Sequence, residues 1–519
     1  MRAGKLVLSA AALTMILVGA QAASAQDAAK LDNATCLGCH GVQGLATPSA
    51  DGHMRSLYVP ADQFANSVHG ETLRCIDCHT TITELPHKNL PATLAERDRQ
   101  RLAINNNCGN CHAKAWQSYT ETYHGQVAVL GYADAATCFD CHGSHAIRRA
   151  SDPTSSVSPA NLLKTCQNCH QDATPGFATF EAHATTDDFA HYPYVWIASK
   201  FVNIAVGGVL WFFWFHSALW FYRELRDRQK RKLRPHVRTD ALPRGPGPYY
   251  QRWSAMWRWV HLIFAVSIIV LVMTGLPLHY PNASWAPPLE RAMGGPEIAG
   301  LVHRVAAVIM IAVFAGHIVY AGIHIARNWS TFKVFGPYSL MPNWQDAADF
   351  VAMFKWFFGR GPRPMFDHWN YQQKVDYWAP FWGIAMLAAT GAMLWFKTLT
   401  AAYLPGWTFN VATVAHGDEA LLAAAYLFTV HYFVNHWRPD KFPLDIVIFT
   451  GSMPLEEFKR EYAVEYARLV KTGELQQHLV DAPARPLTLS AEIIGFSLVA
   501  VGLALLVMMA IGFSGSLGG

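Results

Sequence analysis

Ten cysteines constrain this chain more than any other feature. They stand at 36, 39, 75, 78, 108, 111, 138, 141, 166 and 169, and each pair is followed at once by a histidine. The result is five Cys-x-x-Cys-His pentapeptides within the first third of 519 residues. A disulfide framework has no use for a histidine at one fixed offset five times over. A zinc site draws four ligands, usually from two such pairs. Haem c needs two thiols for its vinyl groups and one imidazole for its iron, which is what each pentapeptide supplies. Five covalently bound c haems are therefore expected. Cys36, Cys39, Cys75, Cys78, Cys108, Cys111, Cys138, Cys141, Cys166 and Cys169 would make the thioethers, and His40, His79, His112, His142 and His170 would be the proximal ligands.

Such chemistry requires export, and the N-terminus reads that way. Arg2 and Lys5 precede an apolar run too short to span a bilayer, and Ala23-Ser24-Ala25 has the small residues of a cleavage site. Residues 1–25 are read as a signal peptide, and 26–190 as an exported pentahaem domain with short helices and long loops. From Tyr194 the composition changes. Hydrophobic residues make up 52% of the chain and charged ones 15%. Six apolar stretches, 194–222, 257–279, 301–326, 376–397, 414–436 and 490–513, are each long enough to cross hydrocarbon as a helix. The expected fold is mainly α: a loop-rich multihaem cytochrome c domain followed by a membrane bundle of about six helices.

Charge distribution orients the bundle. Eight Lys or Arg fall between Arg223 and Arg238, whereas segments 280–300 and 398–413 hold only Arg291. Positive residues inside put the c domain outside, in the periplasm of a bacterial inner membrane. The expected order is transmembrane helix 1 at 191–223, a basic cytoplasmic linker at 224–253, a cytochrome b domain at 254–450, a cytoplasmic amphipathic segment at 451–489 and transmembrane helix 6 at 490–519. A net charge of +4 gives no reason to expect nucleic acid as a partner.

Seven further histidines lie in the exported segment or directly after it, more than the five needed as second axial ligands. His69, His124, His145, His87 and His183 are the leading choices, ahead of His53 and His191. His69 and His124 share a local frame, each followed by glycine, and His145 follows a pentapeptide directly. Six-coordinate haems carry electrons and do not bind substrate at iron.

Ionisable side chains at membrane depth are rare and usually functional. His303 and His317 lie fourteen residues apart on one helix, and His416 and His431 fifteen apart on another. Fourteen residues rise about 21 Å and turn nearly four whole turns. Two parallel helices so marked can clamp two non-covalent b haems, one near each membrane face. His261, at the start of an antiparallel helix, is also at inner depth. His216 and His436 are further membrane histidines.

At this point the chain resembles a known family. Trp259-Val260-His261 with Thr274-Gly275-Leu276-Pro277-Leu278, Lys374-Val375-Asp376-Tyr377-Trp378 with Thr390-Gly391, and His416 with His431 are similar to the b561-like cytochrome b subunits of formate dehydrogenase and nickel–iron hydrogenase. The resemblance spans about residues 250–470. It implies an inner haem on His261 and His431 and an outer haem on His303 and His416. Two features depart from it. His317 offers a second inner-level partner for His431, and the fifteen-residue spacing requires a local helix adjustment.

The resemblance also implies quinone or quinol as substrate, since no molybdopterin, flavin, nicotinamide or iron–sulfur pattern is present. Asp418 and Glu419, directly after His416, are candidate acceptors of quinol protons, and Lys374 and Asp376 are inner-side candidates. The expected activity is a quinol:cytochrome c oxidoreductase-like relay between the membrane quinone pool and a periplasmic cytochrome or a reductase or oxidase subunit. The same path in reverse, or a multihaem terminal reductase, are the alternatives. A complex or a homodimer is compatible with each.

Overall fold

The computed structural model describes residues 31–49, 52–87, 91, 93–230 and 248–517. The leader read at 1–25 and the basic residues 231–247 lie outside the described residues. The chain divides into two compact units. One runs to His183 and includes Thr398–Trp407; the other comprises Ala184–Lys397 and Thr408 onward.

The first unit is built of short helices: α1 (Asn33–His40), α2 (Cys75–Cys78), α3 (Leu94–Cys111), α4 (Ala113–Thr120), α5 (Tyr123–Val129), α6 (Cys138–His142) and α7 (Leu162–Gln167). One antiparallel ribbon, β1 (Ala46–Pro48) with β2 (Met54–Ser56), accompanies them. The helix starts are fixed locally. Thr93 accepts from the Glu96 amide and Glu96 accepts from the Thr93 amide, a capping box that begins α3. Its buried apolar residues are few and mostly small: Leu31, Tyr119, Val127, Ala128, Leu130, Ala133, Ala135 and Ala173. Segment 398–407 packs within this unit. Thr174 Oγ1 donates to the Ala401 carbonyl at 3.1 Å, and the Gly406 amide donates to the Gly176 carbonyl at 2.8 Å.

Among the described residues of the second unit, five helices are long and apolar enough to cross a membrane: α8 (Pro193–Lys230), α9 (Ala255–His279), α10 (Pro296–Arg327), α12 (Tyr371–Trp395) and α16 (Arg485–Leu517). Between them lie α11 (Trp344–Phe357), α13 (Trp407–Tyr426), α14 (Leu455–Glu461) and α15 (Ala463–Thr472). Large apolar side chains point outward, among them Ile204 and Trp211 of α8, Val319 of α10 and Val507 of α16. An apolar exterior on a helix whose backbone bonds are satisfied internally is the form a lipid-facing surface takes.

The sixth expected span, 414–436, differs from the rest. Helix α13 passes into π-helix at Leu427–His431 and again at Phe433–Trp437. The amide of Arg438 reaches back five residues to the Phe433 carbonyl at 2.9 Å. Around it Leu276, Ala424, Ala425, Phe428, Tyr432, Leu505 and Met509 form one core, drawn from α9, the α13 run and α16. A second core joins Trp220 of α8, Met353, Trp356 and Phe357 of α11, and Tyr371 of α12.

Segments read as linker and amphipathic tail form a small layer together. Strand β3 (Tyr249–Gln251) pairs antiparallel with β4 (Ser452–Pro454) and with β5 (Leu479–Val480). Tyr250 stacks on Phe458 with ring centroids 3.6 Å apart, over Met453, Tyr462 and Leu469.

Candidate metal centres

Each Cys-x-x-Cys-His pentapeptide forms a single helical turn. The His79 amide donates to the Cys75 carbonyl, His112 to Cys108 and His170 to Cys166, all at 2.9 Å. Residues three apart share a helix face, so both thiols of a pair project the same way with the imidazole beyond them. No two of the ten cysteines are joined in a disulfide.

Two asparagines repeat a joint between neighbouring pentapeptides. Asn33, three residues before Cys36, accepts from the Cys75 amide at 2.8 Å. Asn105, three residues before Cys108, accepts from the Cys138 amide at 2.9 Å. The Cys75 thiol lies against that of Cys36, and the Cys138 thiol against that of Cys108. Pentapeptides one and two, and then three and four, are thus docked in the same manner. Nothing in the spacing of the cysteines reveals this joint; an asparagine at the same offset before the first and third motifs is the signal for it.

Every pentapeptide histidine faces a second imidazole. Ring centroids are 5.9 Å apart for His40 and His87, 6.2 Å for His79 and His145, 6.0 Å for His112 and His69, 6.3 Å for His142 and His183, and 6.0 Å for His170 and His124. Burial pushes the imidazoles of His69, His79, His142, His145 and His183 below the usual histidine range, so they stand as neutral rings with a lone pair to give. His53 and His191 take no part in these pairs. His191 is exposed, with Nδ1 2.7 Å from Asp188 Oδ2.

The shared His-Gly frame has a steric cause. A Cβ on Gly70 would lie 2.1 Å from the Phe64 carbonyl oxygen, and one on Gly125 2.1 Å from that of Tyr119. Only glycine lets the chain close tightly after His69 and after His124.

The membrane unit repeats the pairing twice. His303 of α10 and His416 of α13 have centroids 6.3 Å apart, and His261 of α9 and His431 6.4 Å. The Thr-Gly dipeptides explain themselves at the first pair. Thr274 Oγ1 lies 2.9 Å from His303 Nδ1 and donates to the Val270 carbonyl at 2.7 Å. Thr390 Oγ1 lies 3.0 Å from His416 Nδ1 and donates to the Met386 carbonyl at 2.7 Å. Because each hydroxyl spends its proton on its own helix, it accepts from Nδ1–H and leaves Nε2 unprotonated toward the partner ring. A Cβ on Gly275 or Gly391 would sit 3.4 or 3.2 Å from the Cε1 of the same imidazoles.

The His431 end is built differently. Fifteen residues of α-helix after His416 overshoot four turns by about 60°. The π turn, which takes more residues per revolution, absorbs the surplus and returns His431 to the face shared by His416. His431 Nδ1 lies 3.4 Å from Asp376 Oδ2, whose other oxygen accepts from the Tyr426 hydroxyl at 2.7 Å. His261 Nδ1 is buried without a hydrogen-bond partner.

The remaining sequence candidates have other company. His317 Nε2 is 2.9 Å from the Tyr377 hydroxyl and its ring packs on Trp257, while the ring facing His431 is that of His261. His216 contacts the Tyr371 hydroxyl at 2.7 Å and Gln372, and His436 accepts from the Asp445 amide. Lys374 is neutralised by Asp346 at 2.8 Å. Glu419 is buried against Gly383 and bonded to Trp382, whereas Asp418 lies beside Tyr280. Adjacent helical residues point apart, and these two carboxylates do.

Two metal–nitrogen bonds of about 2 Å, with half an imidazole ring on either side, give a centroid separation of about 6 Å, the spacing of all seven pairs. Among the described residues no third His, Cys, Asp or Glu joins any pair to complete a protein-only metal site. Opposed imidazoles with no equatorial protein ligand fit a metal held in the plane of a macrocycle.

No curated protein matches the chain. The family described as prokaryotic cytochrome b561 matches residues 177–337, a stretch that takes in α8, α9 and α10 and overlaps the region 250–470 of the sequence resemblance over residues 250–337. Over that stretch the chain is similar to a family of membrane cytochromes b, and the unit that contains most of it has the apolar helices of a multi-pass membrane protein.

Proposed function

We propose that this protein relays electrons between the quinone pool of a bacterial inner membrane and periplasmic redox partners, through two b haems and five covalent c haems. The observation that carries this reading is the set of seven imidazole pairs at 5.9–6.4 Å. When bound, haem supplies one-electron chemistry at a potential set by its surroundings. Each pair would supply two imidazoles to one haem and leave its iron no position for a substrate, which favours conduction over a terminal reductase. His40/His87, His79/His145, His112/His69, His142/His183 and His170/His124 are the proposed axial sets of the c haems. His261/His431 and His303/His416 are those of the b haems, with His317 outside the ligand set.

The docked cysteines of motifs one and two, and of three and four, support close passage from haem to haem. The c unit is proposed to lie in the periplasm, after cleavage of residues 1–25. That segment 398–407, expected outside, packs in the same unit supports this side for it. Oxidation of a quinol releases two electrons and two protons. Asp418 and Glu419 are the proposed proton acceptors at the His416 end.

The test is the purified full-length chain carrying His416→Ala. One of two b haems is expected to be lost by pyridine haemochrome assay, and quinol-driven reduction of the c haems to fall to background. An unchanged rate of c-haem reduction would sink the relay.

A further inference from the structure

We infer that Asp376 sets the redox balance between the two histidine-pair sites of the membrane unit, making the His261/His431 site the low-potential end. The inference rests on the proposed haem ligation and deepens it.

The two sites differ in what holds the outer nitrogen of each imidazole. At His303 and His416 the acceptors are neutral: a threonine hydroxyl at 2.9 and 3.0 Å, together with the backbone carbonyl of Leu271 or Leu387. At His431 it is a carboxylate, Asp376, at 3.4 Å. Asn435 is also near, its Nδ2 3.2 Å from His431 Nδ1 and 2.9 Å from the His431 carbonyl. With Nε2 directed at a metal, Nδ1 carries the hydrogen. An amide nitrogen that donates to a carbonyl cannot accept it, while Asp376 is an acceptor only. Among the described residues no Lys or Arg forms an ion pair with Asp376; its second oxygen takes the Tyr426 hydroxyl at 2.7 Å.

A carboxylate that accepts from Nδ1–H makes the imidazole a stronger electron donor and stabilises the more positive, ferric state of the iron it holds. The hydroxyls of Thr274 and Thr390 exert no comparable pull, and His261 has no Nδ1 partner to oppose it. The potential therefore rises from the His261/His431 site to the His303/His416 site. Each transfer moves one electron, oxidising the first site and reducing the second. An electron that enters at the His261/His431 site therefore passes downhill to the other. Electrons entering at the His303/His416 end and bound for the other site would climb.

The experiment is an optical redox titration of the purified full-length chain, with the low-spin ferric signals followed by electron paramagnetic resonance. Asp376→Asn keeps shape and removes charge. One b haem is expected to rise by at least 59 mV, a tenfold change in a one-electron equilibrium, with the other b haem and the c haems unmoved. Tyr426→Phe withdraws the hydroxyl that shares the carboxylate's charge, and is expected to move the same haem downward. It also carries the test if Asp376→Asn fails to assemble. Both b haems present and both midpoints unmoved in the variants would overturn the role of Asp376. A wild-type chain holding fewer than two b haems would overturn the ligand assignment instead.

Discussion

Thr274 and Thr390 each act on a histidine of another helix, and do so in the same way. The hydroxyl is anchored to its own helix four residues back, so its lone pair is fixed toward Nδ1. A ligand ring is then held in one tautomer and one orientation before any metal arrives. Thr390→Val keeps the branched shape and removes the acceptor. Loss of the hydrogen bond behind a metal-binding imidazole lowers metal affinity by roughly 10- to 100-fold. The expected outcome is selective loss of one b haem from the detergent-solubilised variant on dialysis, read as haemochrome per chain, with the c haems retained. Retention equal to wild type would mean that ring packing against Gly391, and not the hydroxyl, holds His416 in place.

At the scale of the element, the π-helical run of Leu427–His431 is the adjustment that the fifteen-residue spacing requires. If the extra residue is what the π turn accommodates, the two length changes are not equivalent. Deleting Leu427 leaves the histidines fourteen apart, a spacing that regular α-helix can align. Inserting one alanine at that point turns His431 off the face by nearly a further 100°. The deletion is expected to keep two b haems per chain and the insertion to keep one. The reverse pattern would contradict the role given to the π turn. The spacing made this element legible in the sequence, as the pentapeptides did for the short helices that carry them. Strand β3 and helix α11 were not legible, because they lie in segments whose composition reads as linker and loop and whose partners are remote in sequence. The same holds for the pairing of imidazoles. His69 precedes the second pentapeptide and faces the histidine of the third, and His145 follows the fourth and faces that of the second. Local sequence carries no record of such crossings. Asp376 was visible as an ionisable residue at membrane depth, but whether it faces lipid, quinone or a histidine depends on α13, fifty residues away.

For the whole molecule, the two units are stabilised by different means. The membrane unit has continuous apolar cores among its helices. The first unit has a scatter of alanines, one tyrosine and a few larger aliphatic residues. A chain of that length normally closes around a full hydrophobic core. Its histidine pairs instead join segments that are far apart in sequence, so whatever bridges each pair acts as a cross-link and as apolar filling at once. Binding of this sort adds directly to folding free energy, because the unfolded chain holds no preformed site. On the proposed assignment of c haems to these pairs, covalent haem attachment is a folding requirement for the first unit and not for the second. The full-length chain produced without the machinery for haem c attachment should be cut readily by protease between residues 31 and 183, while the membrane helices stay intact and two b haems remain measurable. A first unit as protease-resistant without its haems as with them would show that its sparse core suffices, and would remove the structural role of its five histidine pairs.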